Sequence, residues 1–178
     1  MSESVSDVAP LLTRRRLLGL GVAGMAAVAG AAHANPGWLE IVNADIPRLS
    51  VALPRFRADP ADAGLARDIT QIVAANLGRS ALLAIIDTAD TPEITDTDSP
   101  PRFADWRAIN AEGLVIGRVA RERDGSLRTE FRLWEVFGGQ QLAGHRYASP
   151  PDDWRRVANA ISNAVYQQLT GAKGHFDD

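Results

Sequence analysis

The chain has 178 residues, of which 46% are hydrophobic and 23% charged, with 10 prolines and 15 glycines; this is the composition of a folded globular protein and not of a disordered or collagen-like one. Its 19 basic side chains against 22 acidic ones give a net charge of -3, so there is no broad basic field to hold nucleic acid or anionic lipid. The absence of cysteine excludes disulfides, thiolate metal sites, cysteine nucleophiles and a lipidated N-terminal cysteine.

The first 34 residues read as an export signal. Thr13-Arg14-Arg15-Arg16-Leu17-Leu18 supplies a basic region, an uncharged run follows from Leu17 to Ala32, and Ala32-His33-Ala34 is a small-x-small cleavage site before Asn35-Pro36. The run is rich in Gly and Ala and shorter than the roughly 20 residues a spanning helix needs, which sets aside an uncleaved anchor and stable membrane insertion of the mature chain. Paired arginines before two apolar residues match a twin-arginine signal, with the general secretory route as the alternative. Gly19-Leu20-Gly21-Val22-Ala23-Gly24 matches a dinucleotide-binding fingerprint, but that pattern has meaning only between a strand and a helix. Here it lies within the signal, and no cofactor is expected.

After the signal, residues 35–48 form an N-terminal arm containing Trp38-Leu39-Glu40-Ile41-Val42-Asn43, extended in character and either free or paired as an edge strand. The first core strand is expected over Leu49 to Phe56. Pro60 to Asp62 opens a helix whose Leu65, Ile69, Ile72, Val73 and Leu77 recur at helical spacing, with Asp62 as N-cap and Gly78 as stop. Ala81 to Ile86 is a continuous apolar run, read as a strand buried on both faces. Asp87 to Pro101 is an acidic, proline-rich loop. Phe103 to Glu112 reads as a short helix carrying Phe103, Trp106 and Ile109, and Leu114 to Val119 as a strand.

Asp124-Gly125 is the strongest hairpin signal. It leads into a strand in which Leu127, Thr129, Phe131 and Leu133 alternate with Arg128, Glu130 and Arg132, and Gly138-Gly139 turns the chain into Leu142 to Tyr147. A last helix follows Asp152 or Asp153, with Trp154, Val157, Ala158, Ile161, Val165 and Leu169 on one stripe, ending at Thr170-Gly171. Two strand–helix units, a meander and a closing helix predict an α/β fold: a single mixed β-sheet with helices packed on it, an α/β sandwich over 49–174, with a tail at 175–178.

Catalytic chemistry finds little support. There is no H-E-x-x-H, no G-x-S-x-G, no Walker A sequence and no S-x-x-K, so the chain is expected to be no enzyme and to hold no metal. The acidic loop residues Asp87, Asp90, Glu93, Asp96 and Asp98 lack the glycine turn and closing Glu of a calcium loop; a hydrolase using these carboxylates stays as the alternative. Trp106 and Trp154 fall on helix stripes and read as core. Trp134 shares strand parity with Arg128 and Arg132, and is either core under a helix or an interaction patch.

The whole resembles the N-terminal domain of the TolB family of the Tol-Pal envelope system. The resemblance is carried by the arm Leu39-Glu40-Ile41-Val42, by Leu49-Ser50-Val51-Ala52-Leu53-Pro54, and by Asp68-Ile69 with Val73-Ala74-Ala75-Asn76-Leu77. It continues through Trp106-Arg107-Ala108, Gly113-Leu114-Val115-Ile116-Gly117, Asp124-Gly125-Ser126 and Leu169-Thr170-Gly171-Ala172-Lys173-Gly174-His175-Phe176. Two departures are Pro54-Arg55-Phe56, where the family has Pro-Phe, and Ala44-Asp45 in place of a Gly-Val step. Family members continue into a β-propeller, so the chain is expected to be a piece of a longer protein or a stand-alone domain.

The resemblance implies a non-enzymatic periplasmic scaffold. In the family the arm, here Trp38, Leu39, Glu40, Ile41, Val42 and Asn43, binds the C-terminal domain of TolA, and the propeller binds Pal, coupling the two membranes in envelope integrity and cell division. Pal is thus a partner only where a propeller is present. A stand-alone envelope-assembly adaptor, such as a cofactor of a peptidoglycan synthase, is a further alternative, weakened by the missing lipidation cysteine.

Overall fold

The computed structural model describes residues 47–86 and 96–176; the signal, the arm up to residue 46, the acidic loop over 87–95 and residues 177–178 lie outside the described residues. In chain order the elements are β1 (Leu49–Ala52), α1 (Ala63–Gly78), β2 (Leu83–Ile86), α2 (Phe103–Ala108), β3 (Gly113–Arg121), β4 (Leu127–Glu135), β5 (Gln140–Ser149) and α3 (Trp154–Thr170), with one-turn 3-10 helices before α1 and α3. This is the expected succession. The strands form one five-stranded mixed sheet in the order β2-β1-β3-β4-β5. β1 runs parallel to β2 and β3, and β3, β4 and β5 form the antiparallel meander.

Strand alternation divides the apolar residues between two faces. On one face α1 and α3 cover Val51, Val115, Val119, Leu127, Phe131 and Leu133, packing them against Ile69, Val73, Leu77, Ile161 and Val165. On the other, α2 closes a smaller core of Ala52, Leu114, Ile116, Trp134 and Val136 around Trp106. Beyond α2 that second face is polar. Arg128 bridges Glu122 and Glu130, and Arg146 bridges the same Glu130, so the arginines are salt-linked side chains of an open sheet face.

Several boundaries differ from the sequence reading for identifiable reasons. The first strand ends as a ladder at Ala52 because Pro54 has no N–H to donate. The chain rejoins the sheet at Arg57, whose N–H donates to the Gly117 carbonyl at 2.8 Å and whose carbonyl accepts from Val119 N–H at 2.7 Å. The apolar run ending at Ile86 is only partly buried: among the described residues β2 pairs with β1 alone, Leu83 and Ile85 meet the larger core and Ile86 the smaller, and of these Leu83 is buried while Ile85 and Ile86 are half-buried. The helix from Phe103 ends at Ala108, and Asn110 takes a positive φ of 56° that no helix continues through.

Caps also differ. Asp62 and Asp153 occupy the N-cap positions without a side-chain cap bond; the preceding 3-10 turns redirect the chain, and the Asp62 carboxylate accepts from Arg121 instead. Gly78 is the last helical residue and the right-handed Arg79 follows it. Gly171 does end α3 in the left-handed conformation, at φ 73°. Among the described residues no helix is long and apolar enough to cross a membrane.

Candidate interaction surfaces

The sheet's direction fixes which groups share an end. β1, β2, β3 and β5 begin at the end where β4 finishes. The chain therefore enters β1 at the end that also carries Leu82, the α2–β3 connection and the β4–β5 turn. Hydrogen bonds tie these pieces together: Leu49 N–H donates to the Leu82 carbonyl at 2.9 Å, Glu112 N–H to Ser50 at 2.8 Å, and Val136 N–H to Glu112 at 2.9 Å. The Glu112 carboxylate accepts the Ser50 N–H at 2.9 Å. The three exposed large apolar residues among the described residues, Phe137 at 58%, Leu82 at 39% and Ile109 at 36%, all lie at this end.

The sequence-derived partner-binding residues, Trp38 to Asn43, lie outside the described residues, but the root of their segment is at this same end. Among the described residues β2 and β5 are the outer strands, each paired on one side. Trp134, weighed between core and patch, is core: it is 6% exposed and meets the Phe103 ring edge-on at 5.6 Å. Its indole N–H is buried with no acceptor among the described residues, and its contribution there is volume and apolar area. Trp106 is buried as expected. Trp154 is only half-buried at the start of α3, with the Arg155 guanidinium 4.3 Å from its ring centre.

Of the acidic loop, Asp96 and Asp98 are described. The Ser99 hydroxyl, followed by the Asp98 amide, holds the Asp96 carboxyl below its usual range, the opposite of what a general acid requires. Asp98 accepts from Arg132 through both its carbonyl and its carboxylate. These two residues line a polar pocket with Arg57, Asp59 and Arg118 of about 170 Å³, smaller than the roughly 300–1,000 Å³ typical of small-molecule sites. Asp87, Asp90 and Glu93 lie outside the described residues. Among the described residues no group of three or more His, Asp or Glu is placed to hold a metal ion. Among the described residues the arrangement offers two outer strands and an apolar end.

Comparison with known proteins accords with this picture. The sequence profile of the TolB amino-terminal domain matches residues 38–142. Among solved structures, TolB from Acinetobacter baumannii superposes with a TM-score of 0.60 at 23% identity, a likeness of fold, covering 72% of this chain and 30% of that one. The chain thus spans about a third of that relative's length. Weaker similarities are to lipoprotein GNA1162 from Neisseria meningitidis (TM-score 0.47, 13% identity, 68% of this chain and 99% of that one) and to the LpoB C-terminal domain from Escherichia coli (0.42, 15%, 60% and 87%).

Proposed function

The chain belongs to the TolB amino-terminal domain family, and from that premise we propose that it is a non-enzymatic adaptor of the Tol-Pal system whose arm, Trp38 to Asn43, binds the C-terminal domain of TolA. The family setting is periplasmic and envelope-associated, and its domain is a scaffold. The observation that carries the proposal is the extent of the family match, which begins at Trp38 and runs through the sheet to Leu142; the arm belongs to the shared pattern.

β1 sits inside the sheet between β2 and β3, so the arm leads directly into a central strand. An apolar segment preceding such a strand in the sequence suits addition to a partner's sheet edge. Main-chain hydrogen bonds then supply affinity, and alternate side chains, Trp38, Glu40 and Val42 against Leu39, Ile41 and Asn43, supply selectivity. The engagement couples the inner membrane to the outer in envelope integrity and cell division; Pal enters as a partner where the full-length protein carries a propeller. Export as a precursor cleaved before Asn35, by the twin-arginine route, is part of the same proposal.

Calorimetric titration of the TolA C-terminal domain into the mature chain, with and without residues 35–43, tests it. The intact chain should bind and the deletion should lose detectable binding. Equal affinity of the two forms would exclude the arm as the binding element.

A further inference from the structure

The β4–β5 turn carries an exposed aromatic side chain, Phe137, on a hydrogen-bonded backbone. The Glu135 carboxylate accepts the N–H of Phe137 at 2.7 Å and of Gly138 at 2.6 Å. From the other side, Arg107 donates to the Val136 carbonyl at 3.2 Å and the Phe137 carbonyl at 3.3 Å. Gly139, at φ 68°, lets the chain pass beneath the Phe103 ring, which a Cβ there would approach to 3.2 Å. Four hydrogen bonds and a left-handed glycine thus hold the backbone of a residue that stays 58% exposed. An aromatic presented on a held backbone is suited to binding because part of its ordering cost is already met.

Phe137 has companions. Ile109 follows α2, which Arg107 ties to the same turn, and Leu82 is bonded through its carbonyl to Leu49, the first residue of β1. The C-terminal segment turns away from this end. Leu169 lies beside Gly113 at the start of β3, but after Gly171 the chain doubles back along α3, where the Asn163 side-chain amide bonds both the N–H and the carbonyl of Phe176.

We propose that this apolar rim, with Phe137 as anchor and Ile109 and Leu82 as flanks, is a second contact surface for the protein whose sheet edge the arm joins. The inference rests on the arm reading, and reach is what connects them. Six residue steps separate Asn43 from Leu49, at most about 20 Å of extended chain. The turn bearing Phe137 follows β4, two strands from β1, or about 10 Å across the sheet. A domain paired with residues 38–43 is therefore tethered within reach of the rim. The partner feature that fits is an apolar strip beside an open strand edge, with its polar margin facing Arg107 and Glu135.

The TolA C-terminal domain serves as the probe, titrated into the mature chain, into Phe137→Ser and Ile109→Ser variants, and into the chain lacking residues 35–43. Because Phe137 is mostly exposed, Phe137→Ser should leave the melting temperature unchanged while raising Kd about tenfold or more, with a smaller effect from Ile109→Ser. If both variants bind like the intact chain while the arm deletion abolishes binding, the rim inference is overturned and the arm reading stands. Should the arm deletion bind normally while Phe137→Ser weakens binding, the arm reading falls and the rim is itself the docking surface. No binding by the intact chain overturns both.

Discussion

Gly117, in the middle of β3, has no room for a side chain: a Cβ would lie 2.5 to 2.6 Å from three atoms of the Phe56 ring. Phe56 is itself buried and fixed from behind by its N–H bond to the Thr70 hydroxyl at 3.0 Å. Gly117→Ala should cost about 1–3 kcal/mol in urea unfolding through overpacking; an unchanged midpoint would show that the ring swings clear. Asp124 offers a pH test. Its carboxylate accepts both the hydroxyl and the N–H of Ser126, at 2.7 and 2.9 Å, and these bonds, the hydroxyl foremost, lower its pKa. A carboxyl with a lower pKa folded than unfolded adds stability above the ordinary carboxylate range, and that contribution is lost as pH falls through the folded value. The Ser126 amide resonance should titrate with a midpoint below that range, and Asp124→Asn should abolish the transition. A midpoint at or above the ordinary value would contradict the assignment. Residue-scale reading from sequence succeeded where parity or a helix stripe decided burial, as for Trp106. It was less sharp at element ends, where Trp154 begins α3 packed against the main core but only partly buried.

At the scale of elements, the 3.6-residue stripe of α3 was legible because its apolar face is continuous, and Val157, Ala158, Ile161 and Val165 are all buried. Ile161→Ala should cost about 2–5 kcal/mol, measured by denaturant unfolding; a variant of unchanged stability would place that face of the helix in solvent. The two hairpins were equally readable, since Gly125 and Gly139 hold the positive φ values their turns require. β2 was misjudged because a short apolar run carries no periodicity: Ala84, Ile85 and Ile86 read alike in a central strand and in an edge strand capped by helices. Its place at the edge is decided by β3 taking the other side of β1, a pairing between residues more than 60 apart in the chain. α2 stopped early for a local reason, the left-handed Asn110, which no apolar pattern announces. The buried Asn76, bonded to Asn159 and Ser162 at 2.8 and 3.1 Å, joins α1 to α3 and likewise had no signal in a pattern of apolar residues.

At the scale of the molecule, the fold class followed from the order of elements, while the proposed contact surface did not. The end of the sheet where Leu82, Ile109 and Phe137 gather is created by strand order, and in sequence they are scattered singly as exposed apolar residues commonly are. The arm lies outside the described residues up to residue 46, and its partner reading rests on the resemblance to the TolB family. The central claim is that residues 38–43 become a strand of another protein's sheet. Hydrogen exchange at single-residue resolution, on the mature chain alone and saturated with the TolA C-terminal domain, tests it most directly. Edge pairing bonds every second N–H to the partner, so protection should rise in alternation, at Trp38, Glu40 and Val42 or at Leu39, Ile41 and Asn43, with little change in β3 and β4. Unchanged exchange throughout residues 38–43 in the saturated complex would contradict the account.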